Sequence, residues 1–162
     1  MNLLPTELSD RPAAAEDEDF LFRVYASTRV QELAALGWPA AQLDAFLRMQ
    51  YNLRKQSYSA YAGAAYSILL SGGSPAGSAI VWRGGHEIRL VDIALLPEFR
   101  NCGAGTEWIS RLIRESRQAG VPLRLSVVAA NPARRLYERL GFVAQSAGSM
   151  YIEMEHYGSG AE

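Results

Sequence analysis

The chain has 162 residues, 49% of them hydrophobic, which is enough for one well-filled core without disulfides or metal. Sixteen basic and seventeen acidic side chains nearly cancel, excluding a bulk field for nucleic acid or an anionic membrane, so any anion site has to be local. A lone cysteine, Cys102, excludes an internal disulfide, and with only His86 and His156 beside it no spacing resembles a zinc site.

The opening MNLLPTELSDRPAAAEDEDF has no basic region followed by an apolar stretch, and no later segment approaches the roughly 18 apolar residues that cross a bilayer. The expectation is a soluble cytoplasmic protein. A short strand is expected around Thr6 to Arg11. The acidic cluster Glu16, Asp17, Glu18 and Asp19 then suits a helix's first turn, and Phe20, Leu21, Val24 and Tyr25 follow at helical spacing. A second helix is expected to open at Pro39 and to carry Leu43, Phe46 and Leu47, with Gln50, Tyr51 and Arg54 on neighbouring positions. AAYSILL, the turn SGGSP and AGSAIVW read as a hairpin, and EIRLVDIALL after RGGH adds a third antiparallel strand.

From Thr106 the period becomes helical. Ile109, Leu112, Ile113 and Ser116 share one face, and Gly120 and Pro122 stop the helix before the strand LRLSVV. NPARRLYERLGF predicts a helix bounded by its own chemistry: Asn131 caps it, Pro132 takes the first helical position and Gly141 closes it. Two strands around Ala147 and Gly148 complete one domain over residues 1–157, and residues 158–162 read as a flexible tail.

The strand ending LLPEFRNCGAGTEW leads through Arg100, Gly103 and Gly105 into a helix start. Strand, glycine turn and helix N-terminus together make an anion site, because the first helical N–H groups lack partners and the helix dipole is positive there. Thr106 and Glu107 replace the Lys-Ser or Lys-Thr of a P-loop. Trp108 stands where a dinucleotide fingerprint needs its third glycine. The spacing Arg100-x-x-Gly103-x-Gly105 resembles instead the pyrophosphate motif of the GCN5-related N-acetyltransferases, and NPARRLYERLGF resembles that family's later motif. The resemblance covers most of the chain. It implies an α/β fold with a mixed, mostly antiparallel sheet of six or seven strands, about four flanking helices and splayed central strands.

What the resemblance implies for the site follows residue by residue. Acetyl-coenzyme A is the expected cosubstrate, with no metal. The backbone amides of Arg100, Asn101, Cys102, Gly103, Ala104, Gly105 and Thr106 are expected to hold its diphosphate. Free backbone groups of Ala94 and Leu95 are expected on the pantetheine arm and thioester carbonyl, and Asn131 on the arm; Arg134, by its place at the first turn of that helix, is expected to meet phosphate or else to face water. Tyr137 is expected to protonate the leaving thiolate. Relatives often place a glutamate on a central strand, but the matching positions here hold Arg89 and Ser126, so Asp92 becomes the candidate base, with Glu87 or a water relay behind it. Residues 26–62 supply Trp38, Phe46, Tyr51, Tyr58 and Tyr61 with Arg29, Arg48 and Arg54 interspersed, a mixture that would either line the pocket of the acceptor, a primary amine of a small molecule or peptide, or fill the core. By analogy the final strands would support a homodimer. The alternative expectation is a non-catalytic acyl-coenzyme A sensor or interaction module on the same fold.

Overall fold

The computed structural model describes residues 7–147 and 150–157. Thr6, Gly148 and the expected tail at 158–162 lie outside the described residues. The chain runs β1 (Leu8–Pro12), α1 (Glu18–Ala34), α2 (Ala40–Ser57), β2 (Ala65–Ser71), β3 (Ser74–Arg83), β4 (Ile88–Leu95), α3 (Ala104–Ala119), β5 (Leu123–Val128), α4 (Ala133–Arg139), β6 (Val143–Ala147) and β7 (Tyr151–His156). The strands form one seven-stranded sheet in the order β1-β2-β3-β4-β5-β7-β6, antiparallel except where β4 meets β5. Among the described residues no helix is long and apolar enough to cross a membrane.

Local chemistry explains most boundaries. Gly72 and Gly73, at φ 57° and 83°, give the β2–β3 hairpin two consecutive left-handed residues, the conformation whose twist matches paired strands. Pro39 falls one place earlier than expected. With ψ at 147° it caps α2 rather than entering it. Asn131 accepts the Ala133 amide on Oδ1 at 2.9 Å, and Pro132 already has helical angles, so α4 starts under its own cap. At its far end Gly141 adopts φ 101°, with His156 directly behind it.

Helices cover both faces. Ile109, Leu112, Ile113 and Ser116 of α3 are buried as their spacing predicts, and the three apolar ones join Tyr137 of α4, Leu90, Leu123, Leu125 and Met154 in one core cluster. A second, smaller cluster joins α1 to α2 through Phe22, Tyr25, Leu33 and Leu47. Arg111, off the apolar face of α3, donates to the Leu8 carbonyl, and Trp108 donates to Asp10 at 3.0 Å, fastening α3 to the edge strand.

The parallel pairing of β4 with β5 covers only Ile88–Leu123, Arg89–Arg124 and Leu90–Leu125. Past that point β4 bulges at Val91, where its register with β3 shifts between Ile80 and Val81, while β5 keeps only its β7 neighbour as far as Val128. The two strands therefore part along residues 91–95 and 126–128, opening a gap in the middle of the sheet.

Candidate active site

A cavity of about 1160 Å³ occupies this gap and the space beneath α1 and α2. Seven of the eight tyrosines line it: Tyr25, Tyr51, Tyr58, Tyr61, Tyr66, Tyr137 and Tyr151. Of the expected acceptor residues, Tyr51, Tyr58, Tyr61, Arg29 and Arg54 are present. Trp38 and Phe46 are not, because they stack on each other at 5.2 Å, and Arg48 turns to the Phe22 ring and Asp44.

Tyr137 approaches from the α4 side of the sheet. Its neighbours Ala133, Leu136 and Leu140 pack on the core at helical spacing, which aims the phenol at the gap. Burial, reinforced by the Asp92 charge, pushes this phenol up to about 12, so it keeps its proton at any ordinary pH.

Asp92 approaches from β4 on the opposite face. Its carboxylate accepts from Arg54 of α2, and Arg54 Nε donates to the Tyr58 hydroxyl. Burial raises the carboxyl above its ordinary value, with Arg54 and the Ile93 amide opposing. Thus Asp92 is both desolvated and paired.

Strand alternation assigns the backbone of β4. Leu96 donates to the Ala76 carbonyl at 2.8 Å, so two residues earlier Ala94 turns both its N–H and C=O toward β3, while Ile93 and Leu95 turn theirs toward the gap. This corrects the expectation for Ala94, which gives only its side chain to the cavity wall. The Leu95 carbonyl is also spoken for, since Arg100 Nε donates to it at 2.8 Å. Across the ladder Gly77 is indispensable: a Cβ there would strike the Ala94 carbonyl and come within 3.0 Å of the Leu95 Cα.

Beyond β4, the Arg100 amide is taken by the Pro97 carbonyl at 3.2 Å, so it leaves the expected set of seven. The amides of Asn101, Cys102, Gly103, Ala104, Gly105 and Thr106 have no acceptor among the described residues. Asn101 at φ 59° and Gly103 at φ 82° are left-handed, which curls the loop; asparagine tolerates that conformation better than most residues with a side chain. A Cβ at Gly103 would meet nothing within 4 Å, so the loop is open on that side. Six consecutive free amides at the start of a 16-residue helix form a concave donor surface suited to a diphosphate. The Arg100 guanidinium reaches back to Leu95 and to Ser27 at 3.3 Å. Cys102 is exposed and contacts the Phe99 carbonyl.

Other expected residues separate. Asn131 lines the cavity while capping α4, whereas Arg134 pairs with Glu138 at 2.8 Å on the exposed face of that helix. Glu87 lies at the paired end of β4, bonded to Arg124 at 3.2 Å, and does not reach the cavity. Arg89 and Ser126 do line it, and both bind Glu153 from β7, a carboxylate that the sequence pattern did not mark. The register Ser126–Glu153 is the signal that could have found it, once β5 and β7 are known to pair.

A sheet parted beside a curled amide loop defines a coenzyme-binding acyl-transfer fold, and the comparisons agree. The acetyltransferase (GNAT) family model matches residues 27–142, well over half the chain. The chain belongs to this family. Its fold is that of the PaiA N-acetyltransferase from Thermoplasma acidophilum in complex with coenzyme A (TM-score 0.69, 15% identity, 93% of this chain and 99% of that one). It is also that of the ribosomal-protein-S18-alanine N-acetyltransferase from Escherichia coli (TM-score 0.62, 22% identity, 96% of each chain). At these identities the likeness is one of fold. In sequence, 57 residues are 42% identical to the bS18-alanine N-acetyltransferase of Haemophilus influenzae, a match spanning 35% of this chain and 39% of that protein.

Proposed function

We propose that the chain is an acetyl-coenzyme A-dependent N-acetyltransferase that delivers acetyl directly to a primary amine of a small molecule or peptide, with both substrates bound together. The observation that carries this reading is the meeting of Tyr137 and Asp92 in one cavity, through the gap between β4 and β5, with six unpartnered amides in the loop and helix start that follow β4.

Acetyl-coenzyme A supplies an activated thioester. The amides of residues 101–106 and the α3 dipole bind its diphosphate, and the Leu95 amide, facing the gap, donates to the thioester carbonyl as negative charge grows there. An incoming amine arrives largely as ammonium. An α-amine with a pKa near 7.8 is neutral about a tenth of the time at pH 7, a lysine-like amine near 10.4 only about once in several thousand. The Asp92 carboxylate removes that ammonium proton. The N–C bond then forms as the C–S bond breaks, Tyr137 donates its proton to the departing sulfur, and the proton that the nitrogen sheds on becoming an amide restores the phenol. General acid and base groups of this kind contribute about 10²–10⁴-fold each. Asn131 orients the start of α4 beside the coenzyme arm. The near-neutral chain and the absence of a long apolar helix among the described residues support a cytoplasmic enzyme without a nucleic-acid or membrane partner.

Thermal melting with and without acetyl-coenzyme A, followed by thiol release across polyamines, amino acids, aminoglycosides and peptide N-termini, tests the cosubstrate first and the acceptor second. Stabilisation by acetyl-coenzyme A with no thiol release from any amine would replace this reading with a binding module.

A further inference from the structure

The acceptor side of the cavity holds more charge than an amine needs. Four cations, Arg29, Arg54, Lys55 and Arg89, and three carboxylates, Glu18, Glu32 and Asp92, line it. Arg29 pairs with Glu32 and Lys55 with Glu18, both at 2.7 Å near the rim, and Arg89 is held by Glu153. Such a lining offers no surplus negative field, so it disfavours polycations such as polyamines and aminoglycosides.

Arg54 and Asp92 differ from the rim pairs because they meet beside the reacting groups. Arg54 reaches Asp92 from α2 with its guanidinium carbon 5.4 Å from the Tyr25 ring centre and 5.6 Å from that of Tyr58. Two of its five N–H groups are engaged, by the Tyr58 hydroxyl and by Asp92; the other three have no acceptor among the described residues, and 37% of the side chain is exposed. The Tyr25 and Tyr58 rings hold the planar fork in a fixed orientation, which suits recognition of a carboxylate rather than of a point charge.

Resting on the function proposed above, we infer that the acceptor is a zwitterionic amine whose carboxylate lies next to its amino group, as in a free α-amino acid: Asp92 takes the ammonium and Arg54 the carboxylate. A neutral zwitterion fits a lining of nearly balanced charge, and the fixed pair Arg54–Asp92 presents its two opposite charges to the two opposite charges of the ligand. Tyrosine rings surround the remainder, so the side chain it accommodates is apolar or aromatic. A peptide N-terminus brings the same ammonium but an amide where the carboxylate would be, and forfeits the charge-assisted bond to Arg54.

The test is thiol release from acetyl-coenzyme A by the full-length protein with matched sets built on phenylalanine, leucine and methionine, each as free amino acid, carboxamide and decarboxylated amine. In at least one set, the free acid is expected to exceed its carboxamide in kcat/KM by about tenfold or more, the worth of a hydrogen bond to a charged group. Arg54→Gln should collapse that ratio toward one, chiefly by raising KM for the acid, and Arg54→Lys should restore part of it. Carboxamides or peptide N-termini that react as well as the free acids would overturn the inference while leaving the acetyltransferase intact. So would an Arg54→Gln protein that melts normally and keeps the ratio. No thiol release from any amine would instead remove the enzymatic reading, and this inference with it.

Discussion

Tyr137 and Asp92 stand on opposite faces of one sheet yet share a cavity, and the charge of one raises the phenol pKa of the other. Only the parting of β4 from β5 makes that possible. In a continuous ladder, α4 and the α1–α2 layer would be separated by paired backbone.

Replacing Tyr137 by Phe keeps the ring that packs edge-on against Phe142 at 5.7 Å and removes only the proton donor. Turnover is expected to fall by about 10²-fold or more, with coenzyme affinity little changed. Steady-state thiol release and a binding titration on the same sample separate the two. Equal loss in both would take the acid role from Tyr137.

Asp92 must be ionised to take a proton, and its carboxyl pKa is raised, first by burial. As pH falls through that raised value the carboxylate gains a proton and turnover drops, so the acid limb of kcat is expected above the ordinary value of 3.8. Asp92→Asn should be slow at every pH and lack the limb. A limb that survives in the variant would belong to another group.

Gly77 sets how close β3 lies to the end of β4. Gly77→Ala would force its methyl against the Ala94 carbonyl and the Leu95 backbone, at a cost of about 1–3 kcal/mol. The expected result is a lower Tm together with weaker coenzyme binding, since the displaced strand carries the Leu95 amide. Normal binding in a destabilised variant would show that the strand end is not part of the coenzyme site.

His156 joins β7 to the end of α4, its Nε2 donating to the Leu140 carbonyl at 3.1 Å beneath Gly141. Burial lowers the imidazole pKa, so the fold favours the neutral ring. The unfolded chain takes up a proton first as pH falls below 6.5. This contribution to stability is therefore complete above that value and is lost on acidification from 6.5 down through the depressed folded pKa. Melting temperature should decline over that range in the native protein and less so in His156→Gln.

Much of the fold could be read from local chemistry, and the limits were those of local chemistry. The glycine pair of the β2–β3 turn, the Asn131 cap and the spacing of Ile109, Leu112 and Ile113 each act within a few residues, so sequence alone located them. Phe46 shares helical periodicity with Tyr51 and Arg54, and periodicity does not say which face of α2 meets the cavity; Trp38, in the loop before α2, packs on Phe46 instead. The pairing of Arg54 with Asp92 spans 38 residues, and Glu153 reaches Arg89 across 64, distances at which nothing in a single sequence announces contact. The turn of the Ala94 backbone toward β3 follows from the register of the ladder, which only the pairing with β3 fixes.

The gathering of tyrosines has a practical consequence. None of the three indoles, Trp38, Trp82 and Trp108, lines the cavity, while Tyr61 lies 6.1 Å from Trp82. Ligand binding in the cleft is therefore expected to perturb the ultraviolet absorption bands of the tyrosines more than those of the indoles. A difference absorption spectrum would report occupancy without any label.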